Sequence, residues 1–134
     1  KPRTRQAIID KVLDSKKKKE FPMPVLFNPI TPVSPLWRKY MDSHHQNYPD
    51  QYQNGGIWPF AACFWALALL SAGREKEARQ ELELIARFNR RHDWEFNEWF
   101  HARSGQAMGM KKQSWNAGAF LLAYHCIVKK DVKL

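Results

Sequence analysis

The sequence predicts an all-α fold in which buried helices alternate with a covering helix, and three segments of the chain carry that prediction. Residues 59–72 are apolar on nearly every face, which is typical of a helix enclosed on all sides. Residues 75–91 follow with apolar residues on one face and charges on the other, so that helix is expected to cover a core from outside. Residues 114–129 again have little polar face. Inner helices sheathed by outer ones are typical of part of an α/α toroid.

The N-terminal segment predicts a further helix over residues 4–19, which makes about four main helices. Its apolar residues recur at helical spacing, and they are Ile8, Ile9, Val12 and Leu13. The segment ends in a run of lysines, which suits the negative end of a helix dipole.

The chain changes character between Phe21 and Asn54, where six of the eight prolines lie. Proline removes a backbone donor and fixes φ, so no long helix or central strand is expected here. The segment allows a short extended piece at 25–27 and a turn of helix at 36–41. We therefore expect a single domain, residues 1–134, that contains a Pro-rich loop region at 20–57.

Local signals predict where the later helices begin and end. Residues 54–56 are Asn-Gly-Gly, which favours a turn, and Pro59 suits the first position of a helix. Gly73 is expected to end that helix, and Ser114 is expected to cap the last one.

The composition narrows the classes of function. The net charge of +9 comes largely from residues 16–19, residues 87–91 and the C-terminal tail. A basic chain can bind nucleic acid, but the interleaving of aromatic and basic residues and the recognition-helix motif that such proteins use are lacking here. Solvated helix faces explain the charge more simply. The longest apolar run, residues 57–70, is shorter than the roughly 20 residues that span a bilayer, so no membrane partner is expected.

Cysteine and histidine usage gives no indication of a cofactor. Cys63 and Cys126 lie in apolar helical patterns, which predicts two buried free thiols, a reducing compartment and a cytoplasmic location. The five histidines lack metal-ligand spacing such as HxxxH, and phosphate and dinucleotide fingerprints are missing. We therefore expect neither a metal nor a cofactor.

Residues 94–100, Trp-Glu-Phe-Asn-Glu-Trp-Phe, are the part of the sequence richest in chemistry. They set Glu95 and Glu98 among four aromatic rings. Aromatic rings stack on the apolar face of a sugar, and a nearby carboxylate can activate water or protonate a glycosidic oxygen. This segment, called the glutamate motif below, therefore predicts carbohydrate chemistry. A salt-bridge role for Glu98 and plain core packing of the indoles are the competing interpretations.

Three segments in order resemble the C-terminal part of glycoside hydrolase family 100, the neutral and alkaline invertases. They are NGGIWP at 54–59 (the first motif), the glutamate motif, and QSWNAG at 113–118 (the third motif). The family has YHNGGxWP, WPEYYD and QTWSxAG in the same order. Family 63 α-glucosidases and bacterial amylo-1,6-glucosidase or debranching proteins are similar more loosely. The resemblance covers residues 37 to about 124.

The resemblance implies an (α/α)6 barrel, inverting chemistry and a small substrate such as sucrose or another α-glucoside. Glu98 matches the catalytic base of the family. The chain departs from the family at Gln53, where invertases have His, and at His101, where they have Asp. Phe96-Asn97 stands for Trp-Pro, and Asn116 stands for Ser.

The expected sugar site combines aromatic walls with polar side chains. The residues expected to wall the sugar are Trp58, Trp94, Trp99 and Trp115. Those expected to hydrogen-bond its hydroxyls are Tyr52, Gln53, Asn54 and Gln113.

An inverting enzyme also needs a general acid, with the two carboxyls about 6.5–9.5 Å apart. Asp42, Asp50 and Asp93 are local candidates, but none sits in an acid-like motif, and the resemblance places the acid upstream. The chain is therefore expected to be the last third of a barrel, which leaves apolar helix faces for self-association. The alternatives are a catalytically incomplete sugar-binding or scaffold remnant and a basic nucleic-acid-binding module.

Overall fold

The structure is a computed structural model that describes residues 2–16, 20–45 and 47–133. Helices dominate it and strands are minimal, so the all-α fold class is confirmed. The elements are α1 (Pro2–Ser15), a 3-10 helix (Lys39–His45), α2 (Pro59–Ser71), α3 (Glu75–Arg91), β1 (Trp99–Phe100), β2 (Ala107–Met108), α4 (Ser114–Tyr124) and a π-helical turn (His125–Lys129).

Helix α2 lies at the centre of the main core, between α3 and α4. Pro59 occupies its first turn, as the sequence predicts. Ala62, Cys63 and Ala66 are fully buried. The expectation that this helix is enclosed on every side is wrong for the described chain, because Phe60 and Phe64 are 43% and 48% exposed.

Helix α3 has the bounds that its amphipathic pattern predicts. Ala78, Leu82 and Ile85 are buried against α2, and the opposite face carries charges. Glu81 is a charged residue on the buried face, with only 3% of its surface exposed. Its carboxylate accepts hydrogen bonds from Lys16 Nζ at 2.6 Å and from the Met23 amide at 2.5 Å, which offsets the cost of its burial.

Helix α1 packs on the outside of this core through Ile9, which is buried among residues of α2 and α3. Arg74 pairs with Asp10 at 2.7 Å and holds the exposed side of α1 to the start of α3. The helix ends at Ser15, earlier than predicted, and the expected extension over residues 17–19 lies outside the described residues.

Helix α4 differs from the prediction in its capping residue. Gln113 occupies the N-cap position, and Ser114 is the first helical residue rather than the cap. The helix continues through the π-helical turn to Lys129, the predicted end, where Lys130 adopts a left-handed backbone with φ 58°.

The Pro-rich region contains no long helix, as expected. Its 3-10 helix, Lys39–His45, starts three residues later than the predicted turn at 36–41. The extended piece at 25–27 forms no strand, although the Val25 amide donates to Gly56 O at 2.9 Å. That bond helps to lay the Pro-rich region against the first motif.

Cys63 and Cys126 are buried free thiols, as predicted. Burial, with a smaller contribution from the charge of Glu81, raises the pKa of Cys63 to about 12, so this thiol is chemically inert at neutral pH. In the described part of the chain, every helix is too short or too polar to cross a membrane.

Candidate active site

A small antiparallel ladder, which the sequence did not predict, joins the first motif to the glutamate motif. β1 pairs with β2 through Trp99 opposite Met108. On its other side, Phe100 exchanges two backbone hydrogen bonds with Ile57, at 2.7 and 2.9 Å. Residues far apart in sequence therefore form one three-segment ladder beside the start of α2.

The third motif is joined to the same frame by backbone hydrogen bonds. The Lys112 amide donates to Glu95 O at 2.6 Å, and the Gln113 amide donates to Phe96 O at 3.1 Å. The three motifs therefore meet in a single structural unit.

Left-handed backbone conformations concentrate in and beside these motifs. Eight residues other than glycine have a positive φ in the described chain, and six of them lie in or near the motifs. The six are Asp50, Tyr52, Asp93, Trp94, Phe96 and Lys112. Each such conformation costs about 1–3 kcal/mol, and strain of this kind persists where the surrounding structure imposes it, often at functional sites.

The backbone around Glu98 is held on the side of β2. The Glu98 amide donates to Met110 O at 2.8 Å, and the Met110 amide donates to Glu98 Oε2 at 3.2 Å. Gly109 lies against the carboxylate, so closely that a Cβ at this position would be 2.6 Å from Oε2. This close approach requires a glycine.

The carboxylate of Glu98 is half-buried and forms no ion pair within the described chain, whereas Glu95 pairs with Lys111. The two glutamates of the motif therefore differ in role. Glu95 is a salt-bridge partner, whereas Glu98 accepts a hydrogen bond from the Met110 amide.

Three of the predicted site residues form one aromatic cluster, and one of them, Trp99, is adjacent to Glu98 in sequence. Tyr52 lies 5.0 Å from Trp58 and 5.9 Å from Trp99, measured between ring centroids. Trp58 Nε1 donates to Tyr52 O at 3.1 Å. Trp99 is buried, while Tyr52 and Trp58 are partly exposed.

Two other predicted wall residues stand apart from that cluster. Trp94 contacts Phe96 and Phe120, with ring centroids 6.1 and 5.8 Å away. Trp115 lies on the first turn of α4 and is about half exposed.

The polar residues expected to bind sugar hydroxyls differ in their burial and in their hydrogen bonds within the protein. Asn54 is buried, and its amide is engaged within the protein: Nδ2 donates to Ile30 O and Asn47 O, and Oδ1 accepts from the Ile30 amide. Its side chain therefore fixes the Pro-rich region to the first motif. Gln53 is exposed, and the buried Gln113 donates weakly to Lys111 O at 3.5 Å.

Asn116 is a buried residue of the site that the sequence did not place among the binding residues. Its side chain contacts both the glutamate motif and the first turn of α2. An amide on a helix that is otherwise apolar, at the position where the resembled family has Ser, is the signal that could have identified it.

His101 replaces the Asp of the resembled family without loss of the local turn. Its Nδ1 accepts from the amides of Arg103 and Ser104 at 3.2 and 3.3 Å. A carboxylate oxygen can accept hydrogen bonds from a turn in the same way, so His and Asp can fill the same role in this turn.

The local candidates for a general acid either interact with another side chain or are exposed to solvent. Asp50 pairs with Arg103 at 2.8 Å, Asp42 accepts from Trp37 Nε1 at 3.4 Å, and Asp93 is exposed. Three cavities of about 210, 510 and 330 Å³ are lined by other described residues, and Glu98 lines none of the three.

The family model described as alkaline and neutral invertase, glycoside hydrolase family 100, matches residues 1–130, and the chain belongs to that family. This confirms the resemblance that the three motifs indicate. A comparison with curated proteins gives no match.

Proposed function

We propose that this chain carries the general base of an inverting glycoside hydrolase that acts on sucrose or a related small α-glucoside. The observation that carries the proposal is that hydrogen bonds join the three motifs into one unit that contains Glu98, a partly buried residue that forms no ion pair among the described residues. Membership of the invertase family supplies the class of reaction. The substrate, the inverting course and the role of Glu98 are the proposed parts.

In this mechanism Glu98 takes a proton from water as the water oxygen attacks the anomeric carbon. The bond to the leaving oxygen breaks on the opposite face of the sugar, and a general acid protonates that oxygen. Because Asp50 is paired with Arg103, we assign the base alone to this chain and expect the acid upstream of it, as the family resemblance implies.

The aromatic cluster of Tyr52 and Trp58, backed by the buried Trp99, is the proposed stacking surface. Gln53 and Gln113 remain the proposed partners of sugar hydroxyls. Asn54 is left out, since both of its amide hydrogens are used within the protein.

The test is Glu98→Gln in the full-length protein. Removing a general base costs about 10²–10⁴-fold in turnover, and we expect kcat to fall by that amount while sugar binding, measured by calorimetry, persists. Proton NMR of the first product should show the inverted anomer in the wild type.

Glu95→Gln is the matched control, because it removes a carboxylate three residues away that pairs with Lys111. Its kcat should stay close to that of the wild type. Undiminished turnover in Glu98→Gln would remove Glu98 from the base role.

The ion pair between Asp50 and Arg103 leaves this carboxylate engaged and not free to act as an acid. It therefore also favours a second function, that of a sugar-binding or scaffold remnant without hydrolysis. Sugar binding by the wild type with no hydrolysis of sucrose or α-glucosides would support it.

The nucleic-acid alternative is weakened by Lys16, whose ammonium is buried against Glu81, while residues 17–19 lie outside the described chain. Salt-sensitive binding of an oligonucleotide would revive that alternative.

A further inference from the structure

We propose that Asn116 is a positioning residue that fixes the direction of the Glu98 side chain; this inference rests on the proposed role of Glu98 as a base. Asn116 lies on the first turn of α4 and is fully buried. A buried amide is costly unless its hydrogen-bonding groups are satisfied. Both hydrogens of its Nδ2 and one lone pair of its Oδ1 have partners.

The two acceptors of Nδ2 flank the Cα atom of Glu98. Nδ2 donates to Asn97 O at 2.7 Å and to Glu98 O at 3.2 Å. These carbonyls belong to the two peptide groups on either side of that Cα, and the peptide groups are planar. Holding both planes sets the direction in which the Glu98 side chain leaves the backbone.

The remaining acceptor of Asn116 ties this arrangement to the aromatic cluster. Oδ1 accepts from the Phe60 amide at 3.0 Å. That amide is in the first turn of α2, where backbone donors lack partners within the helix. Trp58, part of the proposed stacking surface, is the N-cap residue of the same helix. One side chain therefore sets the distance between the base and the surface that holds the sugar.

The test compares Asn116→Ala with Asn89→Ala in the full-length protein. Asn89 is a matched control, because it is equally buried and its Nδ2 bonds only to Ile85 O in its own helix. A misplacement of about 1 Å can cost about 10²-fold, so we expect Asn116→Ala to lower kcat about 10–100-fold. KM should change less than about threefold, because the stacking rings remain. Asn89→Ala should leave both constants unchanged.

Asn116→Ser provides a second variant if the alanine variant does not fold, since its hydroxyl can keep one hydrogen bond. It should give a kcat between those of the wild type and Asn116→Ala. The positioning role would be overturned if both Asn116 variants kept the kcat of the wild type. It would also be overturned if Asn89→Ala lowered kcat as much as Asn116→Ala does.

A second measurement separates this inference from the proposed function. Hydrogen exchange of the Glu98 amide, which is bonded to Met110 O, should accelerate by about tenfold or more in the Asn116 variants but not in Asn89→Ala. If the wild type hydrolyses no glycoside, the proposed function fails, and faster exchange still supports control of the Glu98 backbone by Asn116. Unchanged exchange would overturn the inference whether or not the protein is active.

Discussion

Gly109 shows how closely the site is built at the scale of single residues. Its φ of +69° disfavours any other residue, and its missing Cβ leaves room for the Glu98 carboxylate. The position of the Glu98 side chain therefore depends on a glycine at residue 109.

Gly109→Ala should destabilise the protein and also lower its activity. An alanine in left-handed backbone costs about 1–2 kcal/mol, and the collision with Glu98 should add about 1–3 kcal/mol of overpacking. Gly73→Ala is the control, since Gly73 has a φ of +78° but a Cβ added there would meet no atom within 4 Å. Thermal unfolding and kcat of the two variants check the prediction. Equal stability and equal activity in both would show that the Glu98 contact has no effect.

Residues of the site were predictable to the extent that their role follows from residue type. Two carboxylates among aromatic rings pointed to sugar chemistry, and the family motif selected Glu98. The hydrogen bonds from the side chains of Asn54 and Asn116 to the backbone could not be predicted from the sequence. The most distant partner of Asn54 is 24 residues away in sequence, and that of Asn116 is 56 residues away.

At the scale of elements, the ion pair of Lys16 and Glu81 connects the end of α1 to α3. The two charged groups are 2.6 Å apart, with only 11% and 4% of their side-chain surfaces exposed. A buried charge that loses its partner is strongly destabilising.

Lys16→Met should lower the free energy of unfolding by about 3–5 kcal/mol, because Glu81 then remains buried without a cation. The double variant Lys16→Met/Glu81→Gln should recover most of that loss, since glutamine still accepts from the Met23 amide. Urea denaturation checks both. Arg79→Ala, which removes an exposed ion pair with Glu75, should change stability little. A double variant no more stable than Lys16→Met would contradict this explanation.

Helices were predictable from local pattern, whereas strands were not. Pro59 and Gly73 mark the ends of α2, and the amphipathic pattern gave α3 its observed bounds. The strands are two residues long and depend on Ile57, 42 residues before the start of β1 at Trp99. Period-two alternation cannot reveal strands so short.

At the scale of the whole molecule, apolar side chains remain exposed on α2 and α4. Phe64 on α2 and Leu121 on α4 are 48% and 55% exposed. Apolar side chains that form a contiguous exposed patch favour association between copies of a protein. The (α/α)6 toroid stays a prediction, and so do self-association and the cytoplasmic location.

The 134-residue chain should therefore self-associate in isolation, with an apparent mass that rises with concentration in sedimentation velocity. Phe64→Gln/Leu121→Gln should shift it toward monomer. Val33→Gln is the control, because Val33 is 94% exposed but lies in the Pro-rich region. A wild-type chain that sediments as a monomer at every concentration would contradict the prediction.

The hydrogen bonds that join the three motifs run mainly between backbone groups, and this has a consequence for how such a protein can diversify. The hydrogen bond that joins Phe96 to the third motif uses its carbonyl, whereas its ring packs near Phe120. Its side chain can therefore be exchanged while the frame that carries Glu98 stays in place. Libraries randomised at this position should therefore retain the frame, above all with residues that tolerate a φ of +46°.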